Sequence, residues 1–212
     1  AEDSSMAIST YDELKASVAD FLNRDDLTSV IPDFITMAEA DLNRSVRHWR
    51  MEGRAIAPID SKYSAIPADF LEVITFHTTT GNFRPLELLS QGELLKRRQD
   101  TQDTSGAPSF YAISAGEIEV YPTPDGTYQT ELYYYQRIDA LSASNTNNWL
   151  LTYFPDAYLY GSLMHSAPYL KDDARIQIWA GLYQQAVGSI NRESEASKFG
   201  GSGRRMKIRA YT

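Results

Sequence analysis

Apolar residues recur along this chain with two different periods, and the change of period divides it. Leu14, Val18, Phe21 and Leu22 fall at i, i+4, i+7 and i+8 behind Thr10 and Glu13, a capping-box pair. They predict an amphipathic helix of about fourteen residues. After the polar break Asn23-Arg24-Asp25-Asp26, the residues Ile31, Phe34, Ile35, Ala38 and Leu42 share one face around Pro32, which a first helical turn tolerates. The short connection predicts an antiparallel helical hairpin.

From about Arg50 to Arg137 the texture becomes short β-rich runs punctuated by Gly, Pro and Asp. Strands are expected at Leu71–His77, Phe110–Ser114, Glu117–Tyr121 and Tyr128–Arg137, with Pro122-Thr123-Pro124-Asp125-Gly126-Thr127 as the turn of a hairpin between the last two. Ser90 and Glu93 form a second capping box that opens a short helix through Leu94, Leu95 and Arg98. The polar stretch Gln99–Ala107 after it reads as a mobile loop.

Helical periodicity returns beyond the polar linker Ser142–Asn148. Pro155 opens a helix over Ala157–Ala167 that Pro168 stops, and Asp172 or Asp173 is placed to cap a fourth. That helix carries Ile176, Trp179, Ala180, Tyr183, Val187 and Ile190 on one stripe and extends to about Phe199. Helices separated by a long insert bury their stripes by finding one another. The expected fold class is therefore α+β: a four-helix core built from the N- and C-terminal helix pairs, a β-rich insertion of antiparallel hairpins plus a short helix, and an extended C-terminal arm. The divisions are 1–5, read as a leader or expression remnant before Met6; 6–49 and 149–199, the helix pairs; 50–148, the insertion; and 200–212, a basic docking arm.

Composition sharpens this picture mainly through charge. The 212 residues, 42% of them hydrophobic, are enough for a sizeable core. Formal net charge is −8, yet Arg204, Arg205, Lys207 and Arg209 put four basic residues and no acid into the last thirteen positions. Taking that +4 away leaves −12 on residues 1–199, which argues against a nucleic-acid-binding body, since phosphate contacts need clustered Lys and Arg. Within the arm, Met206, Ile208 and Ala210 alternate with Lys207, Arg209 and Tyr211 behind the hinge Gly200-Gly201-Ser202-Gly203. This is the period of a half-buried strand, able to add to another protein's sheet edge. With no cysteine, thiolate chemistry and disulfides are excluded. No apolar run is long enough to span a bilayer, so no membrane partner is expected.

Candidate chemistry is sparse. His48, His77 and His165 lie on different elements without an i+4 partner and read as structural or surface residues, so no metal or cofactor is expected. Asp25-Asp26 and Asp172-Asp173 sit at helix boundaries, where acids cap. Lys96-Arg97-Arg98 reads as a helix end favoured by the macrodipole, and Tyr133-Tyr134-Tyr135 as packing or subunit contact. The glycine string at 200–203 has neither the ending nor the following helix of a phosphate loop or a serine elbow. No catalytic residue is assigned.

Four strings together resemble the phage head-to-tail adaptor, or connector, family, which includes tail tubular protein A of short-tailed phages. They are Met6–Leu14, Ile66–Val73, Gly116–Tyr128 and Ala167–Asp173, with Leu132–Tyr135 and Asn148–Leu151 fitting the same pattern. The resemblance implies a helical body with a β-rich insertion, assembled in the host cytoplasm into the virion neck. Twelve copies would form a ring under the portal protein and above the tail nozzle or next tail component, with DNA passing through the lumen without specific binding. It also implies that the C-terminal arm, Arg204, Arg205, Met206, Lys207, Ile208, Arg209, Ala210 and Tyr211 here, reaches onto the portal. Two other readings stand beside it: a tail-associated cell-wall hydrolase, for which no carboxylate pair can be given roles, and a nucleic-acid accessory protein acting through the arm.

Overall fold

A computed structural model describes residues 8–81, 83–170 and 174–199. It divides into two compact units, one made by the chain up to Arg50 and again from Ile138, the other by Met51–Arg137. Among the described residues there are six α-helices and two four-stranded sheets, an α+β protein. No helix among them is long and apolar enough to cross a membrane.

In the helical unit, α1 (Tyr11–Leu22) opens on the full reciprocal capping box of Thr10 and Glu13 and stops at Asn23, whose left-handed backbone returns its N–H to the last turn. Tyr11, Leu14, Val18 and Leu22 are buried. Phe21, expected on the same stripe, is 46% exposed. Helix α2 (Ile31–Ser45) carries Pro32 in its first turn and buries Ile31, Phe34, Ile35, Ala38 and Leu42. Its N-cap is Val30, without a side-chain bond, so Asp25 and Asp26 do not cap it. Asp26 instead takes the Arg24 guanidinium in two hydrogen bonds of 2.6 Å.

Beyond the β unit, Asn148, the last residue of the expected linker, caps a short helix, α4 (Trp149–Tyr153), which precedes the helix expected at Pro155. Pro155 opens α5 (Pro155–His165), and a 3₁₀ turn, Ala167–Tyr169, follows it. Helix α6 (Arg175–Phe199) buries Trp179, Tyr183, Ala186 and Ile190 along its stripe. The acids expected to cap it, Asp172 and Asp173, lie outside the described residues. Helix α5 packs against α1, α2, α4 and α6. It comes closest at Gly161, where a Cβ would stand 3.1 Å from both the Ala38 methyl and the Tyr183 ring.

The segment after Ile138 belongs to this unit through hydrogen bonds. Ile138 N–H donates to Asn43 Oδ1 at 2.8 Å, Leu141 N–H to Glu39 Oε1 at 2.7 Å, and Tyr11 N–H to the Thr146 carbonyl at 2.7 Å. Backbone groups that a free linker would leave to water are thereby satisfied.

In the β unit, β1 (Glu52–Ile59), β3 (Phe70–Thr78), β4 (Arg84–Pro85) and β8 (Tyr128–Gln136) form one sheet in the order β1-β8-β3-β4. The second sheet, β2-β7-β6-β5, is built from β2 (Tyr63–Ala65), β5 (Glu87–Leu88), β6 (Phe110–Ser114) and β7 (Glu117–Tyr121). The hairpin expected across Pro122–Thr127 is not formed. Strand β7 pairs with β6 and β2, while β8 pairs with β1 and β3. The two-residue turn Ala115-Gly116, with φ of 53° and 81°, closes the real hairpin between β6 and β7. Both edges of β7 are thus occupied, and the segment with Pro122 and Pro124 carries the chain from one sheet to the other.

Ile59, Phe76, Leu86, Tyr111, Ile118, Val120, Leu132 and Tyr134 form the core, drawn from strands of both sheets. Helix α3 (Gln91–Asp100), opened by the Ser90/Glu93 capping box, packs Leu94 against Ala112 and Tyr121 in a smaller cluster.

Candidate functional site

The arm residues Arg204, Arg205, Met206, Lys207, Ile208, Arg209, Ala210 and Tyr211 lie outside the described residues. Within the described residues, the other candidate side chains separate into buried polar clusters, packed aromatics and one apolar cleft.

The most developed polar cluster centres on Glu119, which is 3% exposed although its strand neighbours Ile118 and Val120 are core residues. Gln91 donates to its Oε2 at 2.6 Å, Arg98 Nε to its Oε1 at 2.9 Å, and Lys62 Nζ lies 3.3 Å from Oε1. Burial pushes the Glu119 carboxyl up, but these donors outweigh it and hold it below the ordinary glutamate range. Arg98 is 5% exposed and also donates to the Val120 carbonyl at 2.6 Å, to Thr123 Oγ1 at 2.9 Å and to Asp103. The basic triplet is therefore split: Arg97 lies over the Phe110 ring at 4.1 Å, while Arg98 turns inward. Sequence reasoning missed this role, although Leu94 and Arg98 at i and i+4 share the buried face of α3. The following stretch, expected to be mobile, is held by bonds from Thr101 and Thr104 to the Tyr121 hydroxyl and from Gly106 N–H to the Thr123 carbonyl at 2.8 Å.

Each histidine is packed. His77 Nε2 lies 3.1 Å from Glu131 Oε2, and its ring sits 4.0 Å from that of Phe83. Glu131 also holds Arg54 and the Tyr133 hydroxyl, each at 3.0 Å. His165 Nε2 lies 2.7 Å from Asp41 Oδ2, a carboxylate that Arg44 shares. His48 stacks on Trp149 at 5.1 Å, with Trp49 and Phe154 beside it. In the helical unit, Glu39 Oε1 accepts from Leu141 N–H at 2.7 Å and from the Tyr158 hydroxyl at 3.3 Å. Burial raises both the Glu39 carboxyl and the Tyr158 phenol. Among the described residues no three His, Asp or Glu side chains converge in a metal-binding arrangement. The tyrosine triplet splits by strand alternation: Tyr134 enters the core and donates to Asp69 at 3.0 Å, while Tyr133 reaches Glu131 from the opposite face.

Two surfaces remain. Arg50 lies between two half-open aromatics, 4.4 Å over Trp49 and 4.0 Å over Tyr153, which are 40% and 55% exposed. Arg, Trp and Tyr are the residue types that dominate interface energetics. In the β unit, the sandwich is open along its β1/β2 side into an apolar cleft of about 270 Å³. Ala55, Ala57 and Ala65 form its rim and Phe76, Ile118 and Leu132 its floor. Strand β1 pairs only with β8 and β2 only with β7 among the described residues, so both rims are sheet edges. No titratable side chain lines the cleft. Its lining is apolar apart from the Ser64 and Thr130 hydroxyls.

Compared with known families, residues 9–206 match a family model described as SU10 adaptor protein, a span that covers both units and reaches into the arm. No curated protein matches the chain.

Proposed function

Because this chain belongs to the SU10 adaptor protein family, we propose that it is a structural, non-enzymatic head-to-tail adaptor of a tailed phage. The family match across residues 9–206 carries the reading. In it, the protein sits in the virion neck, contacts the portal on one side and the next tail component on the other, and is kin to tail tubular protein A. Twelve copies form a ring through which DNA passes.

The charge distribution supports this assignment. A body of −12 does not hold DNA phosphates along a channel, whereas the +4 arm suits an acidic protein surface. Alternating Met206, Ile208 and Ala210 suit addition to, or insertion between, portal subunits, with Arg204, Arg205, Lys207 and Arg209 setting register. The Trp49/Arg50/Tyr153 cluster is a second surface with the composition of an assembly contact.

Truncation after Phe199 tests the arm. The shortened protein is expected to keep the circular dichroism and melting temperature of the full chain and to lose co-sedimentation with portal particles. Portal binding at full strength by the truncated protein rejects the arm's role. Native mass measurement with and without portal checks the twelve-copy ring.

A further inference from the structure

We propose that the cleft along the β1/β2 edge receives residues 204–211 of a second copy of this chain, seated as an added strand. The proposal rests on the reading of that segment as a docking element and gives it a second seat, so that portal and neighbour compete for one arm.

Three observations converge on this occupant. First, the cleft is built to take aliphatic side chains from outside. Alanines line its rim where larger residues would close the sandwich, and about 270 Å³ opens onto Phe76, Ile118 and Leu132. A cavity of about 150 Å³ lined by apolar groups accepts a benzene ring, so this one has room for the side chains of Met206 and Ile208. Second, the rim is a strand edge. Strand β1 runs for eight residues with one side unpaired among the described residues, and an extended segment can pair with such an edge except at Pro58, which has no N–H to give. Ala55, Ala57 and Ile59 point into the cleft while Ile56 points to the other face, the two-residue period that Met206, Ile208 and Ala210 match. Third, charge agrees. Asp60 stands exposed directly after β1, at the end of the cleft's β1 rim. It has no ion-pair partner among the described residues, and the arm brings Lys207 and Arg209 between its apolar positions.

The chain contains no cysteine, so the introduced thiols are the only ones in a disulfide trap, and each variant oxidised alone gives the yield of its own homodimer to subtract. Full-length Ala57→Cys and full-length Ile208→Cys are mixed, oxidised and resolved on a non-reducing gel. A cross-linked dimer is expected, with Ala65→Cys on the opposite rim also bridging to Ile208→Cys. Ile56→Cys, on the other face of β1, should give about tenfold less, because cysteines whose Cβ vectors point apart do not bridge. Equal yields from positions 56 and 57 overturn the proposal. So does a bridge that forms only when both cysteines share one chain, since the second-copy assignment then fails. Portal added before oxidation is expected to lower the yield. Bridging that persists undiminished with portal present leaves the cleft contact standing and counts against portal docking by the arm, whereas portal binding without bridging does the reverse.

Discussion

At the scale of single residues, Arg98 and Glu119 bind a helix to a sheet through charges that are both nearly out of reach of water. Breaking an isolated buried pair costs about 3–5 kcal/mol, but Lys62 and Gln91 stay on Glu119 when Arg98 is removed, so the cost here falls below that range. Arg98→Met is expected to lower stability by about 1.5–3 kcal/mol in urea unfolding, the scale of hydrogen bonds to charged groups, and Arg98→Met with Glu119→Gln to cost less than the sum of the two single variants, because they share one contact. Glu119 is held below the ordinary glutamate pKa, so its contribution is present above about pH 4.3 and is lost as pH falls through the lowered value. Glu39 has the opposite sign. Its carboxyl is raised by burial, so its contribution is complete below about pH 4.3 and is lost as pH rises through the raised value. Glu39→Gln retains an acceptor for Leu141 N–H and Tyr158, and is expected to flatten the fall in urea midpoint that the parent protein shows over that rise. None of this was legible in the sequence, where Lys96-Arg97-Arg98 is a uniform basic end. Which of the three turns inward depends on β7, more than twenty positions away, presenting Glu119 among core residues.

Elements were legible where the information is local. The capping boxes at Thr10/Glu13 and Ser90/Glu93 mark the starts of α1 and α3, and Pro32 and Pro155 fall in first turns. The β pairing was not, because a turn signal states that the chain bends and not which strands meet. Pro122–Thr127 contains Asp-Gly and two prolines and bends the chain between sheets. Ala115-Gly116 closes the hairpin although alanine is a poor residue for the left-handed backbone it adopts there. That misfit is correctable. Ala115→Asn, the residue such turns favour at this position, is expected to stabilise the protein by up to ~1 kcal/mol, read as a higher urea midpoint with an unchanged slope.

At the scale of the whole molecule, the interruption of helical sequence by β sequence told the α+β class, and the sheet partition had to wait for the structure. The ladder between β1 and β8 has one consequence beyond stability. Glu52 lies opposite Tyr135 and Gly53 opposite Tyr134, so the chain enters the β unit at Met51 and leaves it at Arg137 on neighbouring strands. Directly paired residues stand only about 5 Å apart. To the helices on either side, the eighty-seven residues of Met51–Arg137 are topologically a hairpin loop, and their length adds little to the entropy of bringing Arg50 and Ile138 together. The unit is therefore joined as a cassette: a change of length inside Met51–Arg137 that keeps the β1–β8 pairing leaves the spacing of its two chain ends as it was.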